Sequence, residues 1–200
     1  MNRKPKNMKK RIMTLIAMSL TMLIGTISAK EGAVQCGNLI YAGTKTSECF
    51  SDEFLTTVQQ KTSVSTERRF KAVKMSSDEL FKFPFVIMTG EGDFSLTSKE
   101  RVNLKKYLDN GGFLLASPSC SDADWAKAFE REIKRVYEDH KLTDLKQDHA
   151  LFKTIFTIKS LKCKSGKTTK LQGITHNDKL VVCYTPDGLN DTANTEGCCC

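Results

Sequence analysis

Histidine is scarce in this chain: His140, His149 and His176 are the only three among 200 residues. Any reaction that needs an imidazole base must draw on one of them. None stands at a spacing from a nucleophile that marks it as a partner. Acids are missing from the first eleven residues, and charge of either sign is missing from residues 12–27. No internal repeat is visible, and apart from a closing cysteine triplet no segment is of low complexity. A repeat array is therefore excluded, and one globular unit is expected.

Basic residues open the chain at Arg3, Lys4, Lys6, Lys9, Lys10 and Arg11, the uncharged apolar run follows, and Ser28 and Ala29 supply small residues before Lys30. That order is read by the export machinery as a cleavable signal peptide, with cleavage expected near Ala29. The apolar run is slightly short of the roughly 20 residues that span a bilayer. Membrane association is thus expected only through an uncleaved signal segment. Val34 and Gln35 ahead of Cys36 lack the small residue that precedes a lipidated cysteine. Six of the net +8 charges lie in this segment, so the basic balance belongs to targeting, and no nucleic-acid partner is expected. The mature part is expected in the periplasm or outside the cell.

The mature part suits one domain with one core. All eight cysteines fall in it: Cys36, Cys49, Cys120, Cys163, Cys183, Cys198, Cys199 and Cys200. Export permits disulfides, and Cys36 with Cys49 is the first pairing expected. The chain is expected to continue beyond Cys200. Boundaries are expected at 1–29 for the signal peptide, 30–64 for an extension carrying Cys36 and Cys49, 65–190 for an α/β domain, and 191–200 for a cysteine-ended tail.

Short apolar segments alternate with amphipathic helices. Residues 38–42 are apolar, and Ser51, Asp52 and Glu53 can open a helix to about Lys61. Residues 69–75 alternate like a strand, and Ser76 with Glu79 has capping-box spacing. Residues 85–89 form a continuous apolar run of the kind buried on both faces of a parallel sheet. Thr97 and Glu100 repeat the capping box, and Asn110 and Gly111 close that helix. Residues 113–116 read as the next buried strand. A helix opening near Ser121 and Asp122 places Trp125, Phe129, Ile133 and Val136 on one face. Strand and helix in alternation imply a doubly wound, mostly parallel sheet between helical layers. Residues 154–158 and 180–184 are late strand candidates for an antiparallel edge, with a basic loop around Gly166 between them.

In such sheets ligands bind beyond the carboxyl ends of the strands. Two loops must lie there. Thr89, Gly90, Glu91, Gly92 and Asp93 form one, where Glu91 and Asp93 can act as acid, base or cation ligand, or simply brace a tight turn. Ser117, Ser119, Cys120 and Ser121 form the other. A cysteine ahead of a helix N-terminus is favoured as thiolate, so Cys120 is the candidate nucleophile; a buried or disulfide-bonded cysteine is the plainer reading. His149, after Asp148, and His176, beside Asn177 and Asp178, read as turn residues. Cys198, Cys199 and Cys200, with or without Cys36 and Cys49, are candidates for disulfides or for metal. Adjacent cysteines point in different directions, so the triplet alone suits a tetrahedral ion poorly.

Several of these stretches are familiar. Pro84 with residues 85–94, then Tyr107, Leu108, Asp109, Asn110, Gly111, Gly112, Phe113 and Leu114, then residues 129–133 and Asp148 with His149, resemble the domain of unknown function 4159 family over about residues 65–190. Residues 36–41 and 187–191 look like the form found in exported planctomycete-type proteins. The resemblance implies a three-layer, flavodoxin-like or class I glutamine amidotransferase-like fold. In amidotransferases a nucleophilic cysteine follows the corresponding strand, near the place of Cys120. This chain lacks the Gly-x-Cys-x-Gly elbow and a His-x-Glu pair, and Glu91 stands where relatives commonly carry histidine between two glycines. Fold carries over further than chemistry.

The expectation is therefore an exported α/β domain that binds a small ligand or a protein partner without catalysis, its cofactors unknown. A cysteine-dependent amidase or hydrolase using Cys120 is the alternative, and a cysteine-rich metal or redox module a third. N-terminal sequencing of the exported protein is expected to begin at or near Lys30; a product that keeps Met1 would contradict the signal-peptide reading.

Overall fold

The computed structural model describes residues 32–42, 45, 53–162 and 168–188. Outside that set lie the expected signal peptide, the helix start at Ser51 and Asp52, Cys49, Cys163, the basic loop around Gly166 and the terminal cysteines. Along the chain run β1 (Cys36–Ile40), α1 (Glu53–Lys61), β2 (Lys71–Lys74), β3 (Phe85–Gly90), α2 (Ser98–Asp109), β4 (Phe113–Pro118), α3 (Ala123–Val136), β5 (Thr143–Asp144), β6 (Leu161–Lys162), β7 (Thr168–Thr169), β8 (Gln172–His176) and β9 (Lys179–Tyr184).

A seven-stranded sheet has the order β2-β1-β3-β4-β9-β8-β5, and β6 with β7 forms a separate ribbon. The first five strands in that order pair in parallel. The last two join antiparallel, so an antiparallel edge is present but is made by β8 and β5, while the expected edge residues 180–184 run parallel beside β4. The order turns at β1, with β2 on one side and β3, β4 and β9 on the other. Asn177 and Asp178 both take positive φ in the tight β8–β9 hairpin, as two-residue hairpins of the primed type require.

Local chemistry explains the elements that place the site. In β3, Val86, Ile87 and Met88 are at most 1% exposed, so a run without polar alternation is covered on both faces. The expected capping box forms at α2: Thr97 Oγ1 accepts from the Glu100 amide at 3.2 Å, and Glu100 Oε2 accepts from the Thr97 amide at 2.7 Å. Glu100 Oε1 also accepts from the Ala42 amide at 2.9 Å, tying the segment after β1 to this helix start. Gly111, with φ of 89°, ends α2 as expected. In α3 the apolar face is the expected one, with Trp125, Phe129, Ile133 and Val136 all buried.

Side-chain alternation divides the interior in two. Leu39, Tyr41, Val86, Met88, Leu114, Ala116, Val182 and Tyr184 meet α2 and α3 in the larger core. Phe113, Leu115 and Cys183 point to the other face, toward Phe152 and Leu171. Phe54 of α1 lies 6.0 Å from Phe85, ring to ring, so α1 covers that second face. Residues 154–158 are not the expected strand. After a 3-10 turn at Ala150–Lys153, Ile155 and Phe156 are more than half exposed, while Phe152 is buried and its carbonyl accepts from the Ile158 amide. The apolar residues there close a loop.

Glu100 joins a helix cap to a buried strand connection, so its loss should exceed an ordinary cap deletion. Glu100→Ala is expected to cost about 2 kcal/mol, the upper range for a cap, because the Ala42 amide is also left unpaired. Urea unfolding measures it, and a change below about 0.5 kcal/mol, the low end for a cap, would contradict this role.

Candidate functional site

Residues 91–93, 119–122 and 185–188 follow β3, β4 and β9 and converge beyond the carboxyl ends of the parallel strands. Two backbone amides lock them together. The Gly92 amide donates to Asp122 Oδ1 at 3.0 Å, and the Gly188 amide donates to Ser121 Oγ at 3.0 Å. Asp122 Oδ1 also accepts from the Trp125 amide at 2.7 Å, so one carboxylate caps α3 and holds the glycine loop. Gly92 has φ of 68°, a left-handed conformation that glycine adopts at little cost.

Beneath the loop lies a buried hydrogen-bonded chain. Trp125 Nε1 donates to Tyr41 Oη at 2.6 Å, and Tyr41 Oη donates to the Thr89 carbonyl at 2.8 Å. Burial pushes the Tyr41 hydroxyl up to about 12, against the opposing effect of the Trp125 bond, so it stays a donor. Gly90 is the residue that admits this arrangement. A Cβ there would stand 2.3 Å from Tyr41 Oη and 2.8 Å from Trp125 Nε1.

The charged residues of the loop are held from outside. Lys45 Nζ donates to the carbonyls of Glu91 and Asp93, each at 2.9 Å. Arg131, from α3, donates to Asp93 Oδ1 at 2.9 Å and to the Phe94 carbonyl. The Arg131 hydrogen bond keeps the Asp93 carboxyl below the usual carboxylate range. Asp93 therefore braces the loop. The Glu91 residue is exposed.

Cys120 and Ser121 both take positive φ, 50° and 53°, which is uncommon for residues other than glycine and asparagine. Ser119 is buried, whereas the Cys120 residue is exposed. Cys120 is engaged with a partner and is not a free thiol. The helix end it precedes is already capped by the Asp122 carboxylate, whose charge opposes a thiolate. His140 and His176 sit past the end of α3 and at the end of β8, at the amino-terminal edge of the parallel strands. A six-residue strand rises about 3.3 Å per residue, so the length of β4 separates that edge from Cys120. His149 Nδ1 accepts from the Leu151 amide at 3.1 Å, in the turn role its sequence suggested.

One of the expected cysteine assignments changes. Cys36 is buried and free, not paired with Cys49, because it stands inside β1 against the core. Cys183 is likewise free, and burial pushes its thiol up to about 11. Among the described residues no group of three or more histidine, cysteine or acidic side chains converges on a metal position.

Sequence reasoning named Thr89 and Ser117 but missed Thr185, which extends them into a row of hydroxyls. Thr89 pairs in register with Ser117, and the Thr185 amide donates to the Ala116 carbonyl on the adjoining strand. Thr89, Ser117 and Thr185 are each at most 1% exposed. Thr185 Oγ1 lies 3.0 Å from Thr169 Oγ1, which donates to Asp187 Oδ2 at 2.6 Å. Thr89 Oγ1 is buried without a hydrogen-bond partner. The only signal in the sequence was a polar residue closing each apolar run.

A family model described as Domain of unknown function (DUF4159) matches residues 38–195. The chain belongs to this family. The matched span runs from Asn38 in β1 through the Asp187 and Gly188 loop of the DUF4159 domain. No curated protein gives a significant match to the sequence.

The tightness at Gly90 yields a double-mutant test. Gly90→Ala is expected to destabilise by about 1–3 kcal/mol through overpacking against Tyr41 Oη. Tyr41→Phe alone should cost about 1–3 kcal/mol by leaving Trp125 Nε1 unpaired. Together they should cost clearly less than the sum, because the alanine methyl occupies the space of the lost hydroxyl. Additive losses in urea unfolding would show that the two residues do not compete for that space.

Proposed function

We propose that this DUF4159 domain is exported and binds a small polar ligand or the polar tip of a protein partner in the crevice formed by Thr89, Gly90, Glu91, Gly92, Asp93, Ser117 and Ser119, without chemistry. The strand order of the five parallel strands supports a flavodoxin-like, class I glutamine amidotransferase-like doubly wound fold. In that order, binding at the turn in strand order, beside β1 and β3, is the rule. The carrying observation is Thr89 Oγ1. An unpaired buried hydroxyl costs about 1–3 kcal/mol, and such a group calls for an explanation, which a bound polar group supplies.

The catalytic alternative is weaker on three counts. Cys120 is engaged, in this reading as a disulfide; the adjacent carboxylate opposes its ionisation; and two of the three histidines belong to the far edge. Its positive φ, with that of Ser121, then holds the loop open for the ligand instead of presenting a nucleophile. A disulfide at Cys120 fits an exported protein.

Thr89→Val separates binding from folding, since valine keeps the shape and removes the hydroxyl. The variant is expected to be at least as stable as the parent. In a thermal-shift screen of polar metabolites, compounds that stabilise the parent by about 2.7 kcal/mol, the value at one hundred times Kd, should lose that effect in the variant. A screen in which parent and variant respond alike would overturn the crevice as the binding site.

A further inference from the structure

The second face of the sheet, opposite α2 and α3, holds an opening of its own. Its core is thin: Phe152, Leu171 and Cys183 are buried, while Leu145 and Leu161 are only half-buried against them. Leu145 follows β5, Phe152 lies in the 3-10 turn, Leu161 is in β6 and Leu171 precedes β8, and all four line one cleft of about 390 Å3. Hydrogen bonds hold the frame. The Leu145 amide donates to the Leu171 carbonyl at 2.8 Å, the Ile158 amide donates to the Phe152 carbonyl at 2.9 Å, and Gln147 Nε2 donates to the Ile158 carbonyl. Packed interiors leave few voids larger than a water molecule, so apolar walls around this volume mark a place for a guest.

We propose that this cleft binds an apolar carboxylate of the medium-chain fatty-acid class, its chain on Leu145, Phe152, Leu161 and Leu171 and its head group at Lys146 and Lys159. Charge decides the head group. Asp144, Lys146, Lys159 and Lys170 are the ionised residues on the lining. Lys170 Nζ donates to Asp144 Oδ2 at 2.7 Å and Gln172 Nε2 donates to Asp144 Oδ1 at 3.0 Å, so that carboxylate is committed. Lys146 and Lys159 are exposed and have no carboxylate partner among the described residues. Two unmatched ammonium groups beside an apolar cleft favour an anion there and disfavour a cation. Lysine stems lie along apolar surface while the ammonium stays in water, and that boundary is where the carboxylate of a buried chain ends. An apolar lining with a few polar groups is the usual make-up of a ligand pocket. Volume sets the chain length. At roughly 30 Å3 per heavy atom, the share of a water in the liquid, the cleft holds about a dozen atoms, the size of decanoate. The cleft shares no residue with the crevice proposed above, and neither reading depends on the other.

The test uses the complete mature chain, with decanoate below its micelle concentration as the probe. Methyl 13C NMR should show decanoate moving the signals of Leu145, Leu161 and Leu171 in a saturable manner, while Leu104 and Leu108 in the other core stay unmoved. Decylammonium, the same chain with the opposite charge, should bind about tenfold more weakly or worse, and the double variant Lys146→Gln, Lys159→Gln should weaken decanoate about tenfold, the combined effect of two exposed ion pairs. Decanoate that fails to bind, or that binds and leaves the three leucine signals unmoved, would overturn the site. Equal affinity for decanoate and decylammonium in the unmutated protein would overturn the anionic head group, as would a double variant that binds decanoate as tightly as the parent.

Discussion

Trp125 Nε1, Tyr41 Oη and the Thr89 carbonyl form one buried chain of hydrogen bonds, and the carboxyl-terminal edge of the sheet is organised around it. It joins the residue after β1, the end of β3 and the first turn of α3. The rings continue the connection: Phe94 packs against Tyr41 and Trp125, Trp125 stacks on Phe129, and Phe129 stacks on Tyr184 in β9. Aromatic contacts of this kind add about 0.5–1.5 kcal/mol each beyond their area. The consequence is a floor that cannot shift in one strand without disturbing the others. Gly90 is required because that floor leaves no space for a side chain, and the loop above inherits its shape.

With the floor fixed, the polar groups of the crevice fall into two kinds. Asp93, Asp122 and Ser121 are committed to bracing, each with an Arg131, backbone or helix-cap partner. Thr89 Oγ1 is not committed. A catalytic site would present the reverse pattern, with an acid, base or nucleophile left free and its orienting partner close by. The imidazoles suited to that task are gathered instead at the opposite edge. One sheet thus presents two polar ends of different character, hydroxyl-rich at one and imidazole-rich at the other.

The parts of the fold that were legible in the sequence are those governed by neighbours within a few residues. The α2 capping box, the Gly111 helix end, the buried face of α3 and the runs in β3 and β4 depend on local periodicity and caps. β1 was weaker because Cys36, Gly37 and Asn38 do not form an apolar run, although β1 lies between β2 and β3. Residues 154–158 misled because Ile155, Phe156 and Ile158 imitate a strand while two of them face solvent. At the site, the two loops were legible from topology alone. Tyr41, Lys45, Trp125 and Arg131 were not, since their contacts cross 38 to 84 residues of sequence and leave no periodic trace. The contact of His140 with His176 was hidden for the same reason, as the two are 36 residues apart.

The central claim is that the crevice binds and does not react, and the state of Cys120 tests it most directly. Native, unreduced protein would be treated with iodoacetamide at pH 7 and each cysteine followed by mass spectrometry. The account predicts that Cys120 stays unmodified until a reductant is added. Labelling of Cys120 in the unreduced protein, faster than a model thiol under the same conditions, would contradict it and restore a nucleophile to the crevice.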